Sequence, residues 1–394
     1  MNLQRKVIVG NVLITSFGSK NIHIWILTLL AWICIPSAAQ QTNTVNAPLF
    51  MDPNYQGSCD PEIIYNDFDS TWYIYYTGRR TLVQNTWLRT PIGVASSKDF
   101  VNWIFEGYCQ FDGMGGQKDA EATYWAPAMI SNQEKLHMFL TYQTDTSPDT
   151  GPWGSSGSIV HYETSLSDPL NGWKKIGDVN NSLENLDRSI RKDEWERARI
   201  LANSLELKAL DATVFKHSGL FHIRYMYYDL DGRLSFAHKV SSDLSHWEDR
   251  KFASSGDAYN EEATGLSYEE APYIFRWKGK NWLITDPHLG LYVYKSDDIS
   301  HWDFQGVVLK EAGNRPYDNS RGRHCSVAVL GDRAFIFYHV EYNRQYDGPS
   351  IYNQSFENRK SVIQMAELEL VDGQLVCNRD KEITPPTRHG KDIH

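Results

Sequence analysis

Cysteine is scarce in this 394-residue chain: there are five, of which only Cys59, Cys109, Cys325 and Cys377 lie beyond residue 40. So few thiols cannot form a disulfide scaffold, and they read as buried free thiols or one pair. Neither CxxC nor HExxH occurs, so a zinc site has no signature. Beyond residue 40 no run is apolar and long enough to cross a bilayer, so no membrane role is expected. Positive charge is also short, with 39 Lys and Arg against 49 Asp and Glu and a net charge of −10, which argues against a nucleic-acid surface. Aromatics are plentiful at 13%, including 13 Trp and 22 Tyr, and they favour strands and offer stacking faces to ring-shaped ligands.

The N-terminus carries Arg5, Lys6 and Lys20 without an acid, then the apolar run Ile22 to Ile35, then Pro36-Ser37-Ala38-Ala39. This is the pattern of a secretory signal over 1–39, with cleavage after Ala39 and a single catalytic domain over 40–394. The expected location is periplasmic or secreted.

A repeat organises the remainder. A Ser-rich turn ending in Trp occurs as SSKDFVNW (96–103), SLSDPLNGW (165–173), SSDLSHW (241–247) and SDDISHW (296–302). Strand-like runs flank each turn. Upstream stand aromatic, β-branched strands: WYIYYTG (72–78), LHMFLTYQ (136–143), FHIRYMYYD (221–229), NWLITD (281–286) and RAFIFYHV (333–340). Each of these follows another short strand with a distinctive opening: CDPEIIY (59–65), YWAPAMI (124–130), LDATVF (210–215), EEAPYIF (269–275) and RHCSVAV (323–329). Five repeats of a four-stranded unit predict an all-β, five-bladed β-propeller. Residues 182–209 interrupt the pattern with charged residues and apolar ones at helical spacing, which predicts a helical insertion in blade three.

The innermost strands of a propeller line its channel, so their openings should gather at one mouth. Three openings present a carboxylate at what reads as one phase: Asp60, Asp211 and Glu270. Another presents His324 and another Trp125. Carboxylates framed by aromatics suit glycoside hydrolysis, which needs one group to take a proton from water and another to give one to the leaving oxygen. A third can raise the acid's pKa by like-charge proximity. Neighbouring strand residues face opposite ways, so only one of Glu269 and Glu270 can face the channel, and the phase selects Glu270. Arg79 and Arg80 are candidates for forked contacts to sugar hydroxyls, Trp125 for stacking, and Glu121 and His324 for substrate contact. His324 is also the candidate ligand for a divalent cation on the axis. No cofactor is required.

The ordered set CDPEIIY, LDATVF and EEAPYIF resembles the Asp, Asp, Glu triad of the five-bladed propeller glycosidases that include glycoside hydrolase family 43. In that group the first Asp is the base, the second orients and tunes, and the Glu is the acid; the resemblance gives these roles to Asp60, Asp211 and Glu270. YYTGRR (75–80), TPIGVASSKDF (90–100), YWAPAM (124–129), APYIFRWKGKNWLI (271–284) and RKSVIQMAELELVDGQLVCNRD (359–380) look closer to family 117, the exo-acting α-1,3-(3,6-anhydro-L-galactosidases). The resemblance implies an inverting, exo-acting hydrolase releasing 3,6-anhydro-L-galactose from agar-derived oligosaccharides. A family 43-type α-L-arabinofuranosidase or β-xylosidase shares the triad, and a carbohydrate-binding propeller with a dead site is the non-enzymatic alternative. Ser58 stands where a fructan-cleaving relative would carry Asn. The expected partner is an oligosaccharide, and a homodimer is compatible with the reading.

Overall fold

The computed structural model describes residues 44–83, 85–111, 122–143, 157–180, 205–229, 232, 234–250 and 269–386. The expected signal over 1–39, Glu121 and most of the expected helical insertion lie outside them. The insertion's last residues are strand: Leu207–Ala209 open the innermost strand of blade three. Among the described residues the only helical elements are two single 3₁₀ turns, Ile351–Asn353 and Phe356–Arg359, and no helix is long and apolar enough to cross a membrane.

Five four-stranded sheets, each drawn from one continuous stretch, form the propeller. Blade one is β1 (Ser58–Asn66), β2 (Thr71–Gly78), β3 (Ile92–Ser97) and β4 (Ile104–Tyr108). Blade two is β5 (Thr123–Asn132), β6 (Lys135–Gln143), β7 (Ser158–Ser165) and β8 (Lys174–Asp178). Blade three is β9 (Leu207–His217), β10 (Leu220–Tyr228), β11 (Leu234–Ser241) and β12 (Glu248–Asp249). Blade four is β13 (Glu270–Trp277), β14 (Lys280–Asp286), β15 (Leu291–Ser296) and β16 (Asp303–Val308). Blade five is β17 (Arg323–Leu330), β18 (Arg333–Val340), β19 (Val362–Val371) and β20 (Gln374–Cys377). Neighbouring strands are antiparallel in chain order, and the inner strands β1, β5, β9, β13 and β17 touch in a closed ring.

This packing explains the composition. Each blade is covered on both faces by its neighbours, so inner strands need no polar face and lose simple alternation. β2, TWYIYYTG, is buried at every position, whereas the outer β4, IFEGY, is exposed or half-buried throughout. The core is correspondingly divided into seams between blades. One joins Trp282, Ile284 and Val293 of blade four to Val327, Ile336 and Tyr338 of blade five. Another joins Trp72, Ile74 and Tyr76 of blade one to Phe335 and Phe337 of blade five. Further seams join blades one and two, two and three, and three and four.

The Ser-rich turns link the third and fourth strands. Ser97, Ser241 and Ser296 Oγ accept the backbone N–H of Phe100 (3.0 Å), Leu244 (2.8 Å) and Ile299 (2.9 Å). These receiving residues adopt left-handed backbone (φ 63, 67 and 60°) and are buried. The ring closes through the segment before β1, where Leu49 N–H donates to Ile363 O at 2.9 Å and Gly57 bridges Ser361. Gly57 is needed there, because a Cβ would stand 2.2 Å from Arg79 O.

All four cysteines beyond residue 40 are free thiols; Cys59, Cys109 and Cys325 are buried.

Candidate active site

Each inner strand breaks its register near its start, and the break aims side chains at the channel mouth. The register shifts between Cys59 and Glu62, Trp125 and Ala128, Leu210 and Thr213, Glu270 and Tyr273, and Arg323 and Cys325. Within these bulges one non-glycine residue per blade takes positive φ: Asp60 (50°), Ala126 (45°), Asp211 (56°), Ala271 (53°) and His324 (27°). Such backbone costs roughly 1 kcal/mol or more per residue and persists where the surroundings impose it.

Those surroundings are largely hydrogen bonds from the preceding blade. The bulge N–H of Asp60 donates to His339 Nδ1 (3.1 Å), that of Ala126 to Thr77 Oγ1 (2.8 Å), that of Asp211 to Thr141 Oγ1 (3.0 Å) and that of His324 to Asp286 Oδ2 (3.0 Å). Every acceptor sits near the end of the second strand of the neighbouring blade. The bulges thus knit the ring and give its upper rim a fixed geometry.

Bulging also alters the phase expected from sequence. Asp60, Asp211 and His324 occupy the positive-φ position, but Glu270 and Trp125 stand one residue before it. A bulge suspends strict alternation, so both positions reach the mouth: Leu210 and Asp211, and Arg323 and His324, line the same cavity.

That cavity, about 330 Å³, contains Asp60, Asp211 and Glu270 together with Trp125, Arg79 and His324. Its volume lies at the small end for ligand pockets. Glu269 points into blade four, where Thr285 Oγ1 donates to it and Tyr294 OH donates at 2.8 Å. Burial pushes the Glu269 carboxyl up to about 7, against the lowering effect of these donors.

The three cavity carboxylates have different surroundings. Asp60 Oδ1 lies 3.4 Å from His324 Nδ1 and 3.5 Å from His339 Nδ1. Burial holds His339 well below the usual imidazole range, with Arg79 and Arg323 adding to the effect, so His339 is neutral. Its Nδ1 accepts the Asp60 N–H, which places the ring proton on Nε2. Asp211 is held well above the ordinary carboxylate range, first by burial and then by the negative charge of Glu270, Asp60 and Asp286. Glu270 Oε1 meets His288 Nε2 at 2.6 Å and accepts from Arg323 Nη2 at 3.2 Å.

Arg323 is the hub of the floor. It donates through Nε to Asp286 Oδ2 at 2.6 Å and reaches Glu341 Oε2 at 3.5 Å. Glu341 is fully buried; burial alone would raise its pKa, but Arg79, Arg344 and Arg323 hold it well below the usual value. Arg344 Nη1 and Tyr346 OH donate to it at 2.6 and 3.0 Å. The β18–β19 connection is thereby drawn over the cavity, which Arg344, Tyr346 and Tyr352 line.

Arg79 lines the wall, but its guanidinium is committed to Glu341 and lies 3.5 Å from the centre of the Trp87 ring. Arg80 is not among the lining residues. Trp125 donates from Nε1 to the backbone O of Trp87 at 2.8 Å, and both residues line the cavity. Glu121 lies outside the described residues.

Sequence reasoning missed Trp87, His288, Arg323, His339 and the roof residues. A signal existed for two of them: His288 follows the Asp-Pro at 286–287, at a strand end, and Arg323 precedes His324 just where Glu270 precedes Ala271.

Among the described residues, Glu270, Asp286 and His288 each offer one donor atom within 4.8 Å of the others. Arg323 already sits on both carboxylates, and its fixed charge opposes a second cation, so the cluster is an ion-pair network. His324 is not part of it.

No family model matches the chain, and no curated protein sequence matches it. Solved structures do resemble it. A thermostable family-43 glycoside hydrolase superposes with a TM-score of 0.54 at 17% identity, covering 84% of this chain and 97% of its own. An α-L-arabinofuranosidase from Lactobacillus brevis gives 0.55 at 17%, covering 87% and 100%. A GH43_1 enzyme from Xanthomonas citri, complexed with xylotriose, gives 0.55 at 13%, covering 84% and 93%. The chain therefore has the five-bladed propeller fold found in these glycoside hydrolases.

Proposed function

We propose that the chain is an inverting, exo-acting glycoside hydrolase. The observation that carries this reading is the convergence of Asp60, Asp211 and Glu270, from three different blades, in one small cavity with an aromatic wall. Asp60 takes a proton from the attacking water. Glu270 gives one to the departing glycosidic oxygen. Asp211, which retains its proton well above the ordinary carboxylate range, limits how much negative charge the site carries. Inversion requires room for water between base and sugar, with the two carboxyls ~6.5–9.5 Å apart. The roof over the cavity favours attack on a chain end rather than its middle. Trp125 and Trp87 supply a face for the sugar ring, and His324 and the Asp60 neighbourhood supply polar contacts. The reaction so written uses no metal.

The motifs that resemble those of family 117 favour release of 3,6-anhydro-L-galactose from agar-derived oligosaccharides. The second reading, an arabinofuranosidase or xylosidase, is favoured by the fold likeness to the Lactobacillus brevis arabinofuranosidase and the xylotriose-bound enzyme. A binding-only propeller is disfavoured because all three carboxylates are present and face the cavity. A product assay on agar, carrageenan, arabino- and xylo-oligosaccharides decides. Monosaccharide release from neoagaro-oligosaccharides supports the first reading and pentose release the second. Binding without cleavage of any of them refutes the enzymatic proposal.

A further inference from the structure

Glu270 has a neighbour that the reaction above does not use. His288 follows the end of β14 and adopts left-handed backbone, φ 65°. Three contacts hold it there. Its N–H donates to Asp286 Oδ1 at 2.7 Å, its carbonyl accepts from Arg321 Nη1, and Arg321 lies 4.1 Å from the centre of the Tyr346 ring. Histidine is among the residues that enter this conformation more readily, and these contacts place Nε2 2.6 Å from Glu270 Oε1.

Exposure makes the pair asymmetric. The Glu270 side chain is 12% exposed and that of His288 42%. An acid that has given its proton to a leaving group must regain one before the next turnover, and Glu270 is enclosed by the cavity. Among the described residues its charged or titratable neighbours are Arg323 on β17, Asp211 on β9, Asp286 on β14, Tyr228 on β10 and His288, with Asp60, His324 and Arg321 nearby. Arg323 does not release a proton, because Asp286 and Glu341 raise its pKa against the effect of burial. Asp286 is committed to Arg323, His288 N–H and His324 N–H. Asp211 is itself buried. Among the described residues His288 is a direct, partly exposed contact of Glu270, and it has two ring nitrogens.

We propose that His288 positions Glu270 and returns its proton after each turnover; the proposal rests on the glycosidase reading. Once the leaving oxygen has taken the Glu270 proton, Nδ1 takes a proton from solvent and the resulting imidazolium passes its Nε2–H proton to Oε1, leaving the ring neutral with its proton on Nδ1. Exchange with solvent restores the starting tautomer. Asp60 releases to solvent the proton it took from the attacking water, so the cycle balances.

The test uses His288→Gln, which keeps an N–H donor but does not titrate, with the oligosaccharide that the wild type cleaves. Steady-state kcat is expected to fall roughly 10-fold or more, with KM falling in proportion, kcat/KM within about twofold and the first turnover at close to the wild-type rate. A burst of one product per enzyme should therefore appear. Added imidazole should restore the steady-state rate of His288→Ala but not that of Glu270→Gln. A His288→Gln enzyme matching the wild type in kcat and pH profile overturns the proposal alone. So does a first turnover slowed as much as the steady state, which would put His288 in the chemical step or in shaping the cavity. A wild type that cleaves no oligosaccharide overturns the reading beneath it as well.

Discussion

Glu62 lies on β1, 7% exposed, and accepts the Met129 N–H at 3.1 Å. Burial pushes its carboxyl up to about 8 from 4.5, against the lowering effect of that hydrogen bond. Glu62 is therefore neutral in the folded protein at pH 7 and ionised in the unfolded chain. A folded-state pKa that is raised contributes stability in full below the unfolded value and loses it as pH rises through the folded value. The window here runs from about 4.5 to about 8. Each unit is worth about 1.36 kcal/mol, so between pH 5 and pH 8 this one group should remove about 4 kcal/mol. Glu62→Gln keeps the acceptor for Met129 and abolishes the titration. Urea unfolding of wild type and variant at pH 5 and pH 8 isolates the effect, because other titrating groups are common to both. The variant should gain on the wild type by about 4 kcal/mol over that range. An equal pH dependence in the two proteins would refute the reasoning and mean that Glu62 is ionised or hydrated in the fold.

Glu270→Gln should keep substrate affinity and lose most turnover on sugars with poor leaving groups, losing far less on an activated aryl glycoside, which needs little protonation. Glu269→Gln, in the blade wall, should leave that selectivity unchanged; kinetics of both variants on both substrates check the pair. Trp282 is 1% exposed in the seam between blades four and five, so Trp282→Ala should lower unfolding free energy by about 3–5 kcal/mol, measured by denaturant titration.

The five-fold repeat was legible because each unit writes the same physical demand, an aromatic, β-branched strand buried on both faces, and three of them add a serine that caps a tight turn. The carboxylates were legible because they open the inner strands. The phase of Glu270 was not. It depends on a bulge whose left-handed residue is Asp60 in one blade and Ala271 in another, and no side-chain pattern announces that shift. The roof from Glu341 to Gln354 was illegible for a different reason, and His288 was marked only by the Asp-Pro before it. They come from connections between strands, where the repeat carries no information. The arginines were half legible: Arg79 reaches the cavity wall, but Glu341, distant in sequence, claims its charge.

The central claim is that Asp60 activates water for inverting hydrolysis, and product stereochemistry tests it most directly. Proton NMR should be recorded during cleavage of the oligosaccharide that the wild type accepts, alongside Asp60→Asn shown to be folded by thermal unfolding. The first sugar released by the wild type should have the anomeric configuration opposite to that of the substrate, and Asp60→Asn should release almost none. Retained configuration, or near-normal release by Asp60→Asn, would contradict the account.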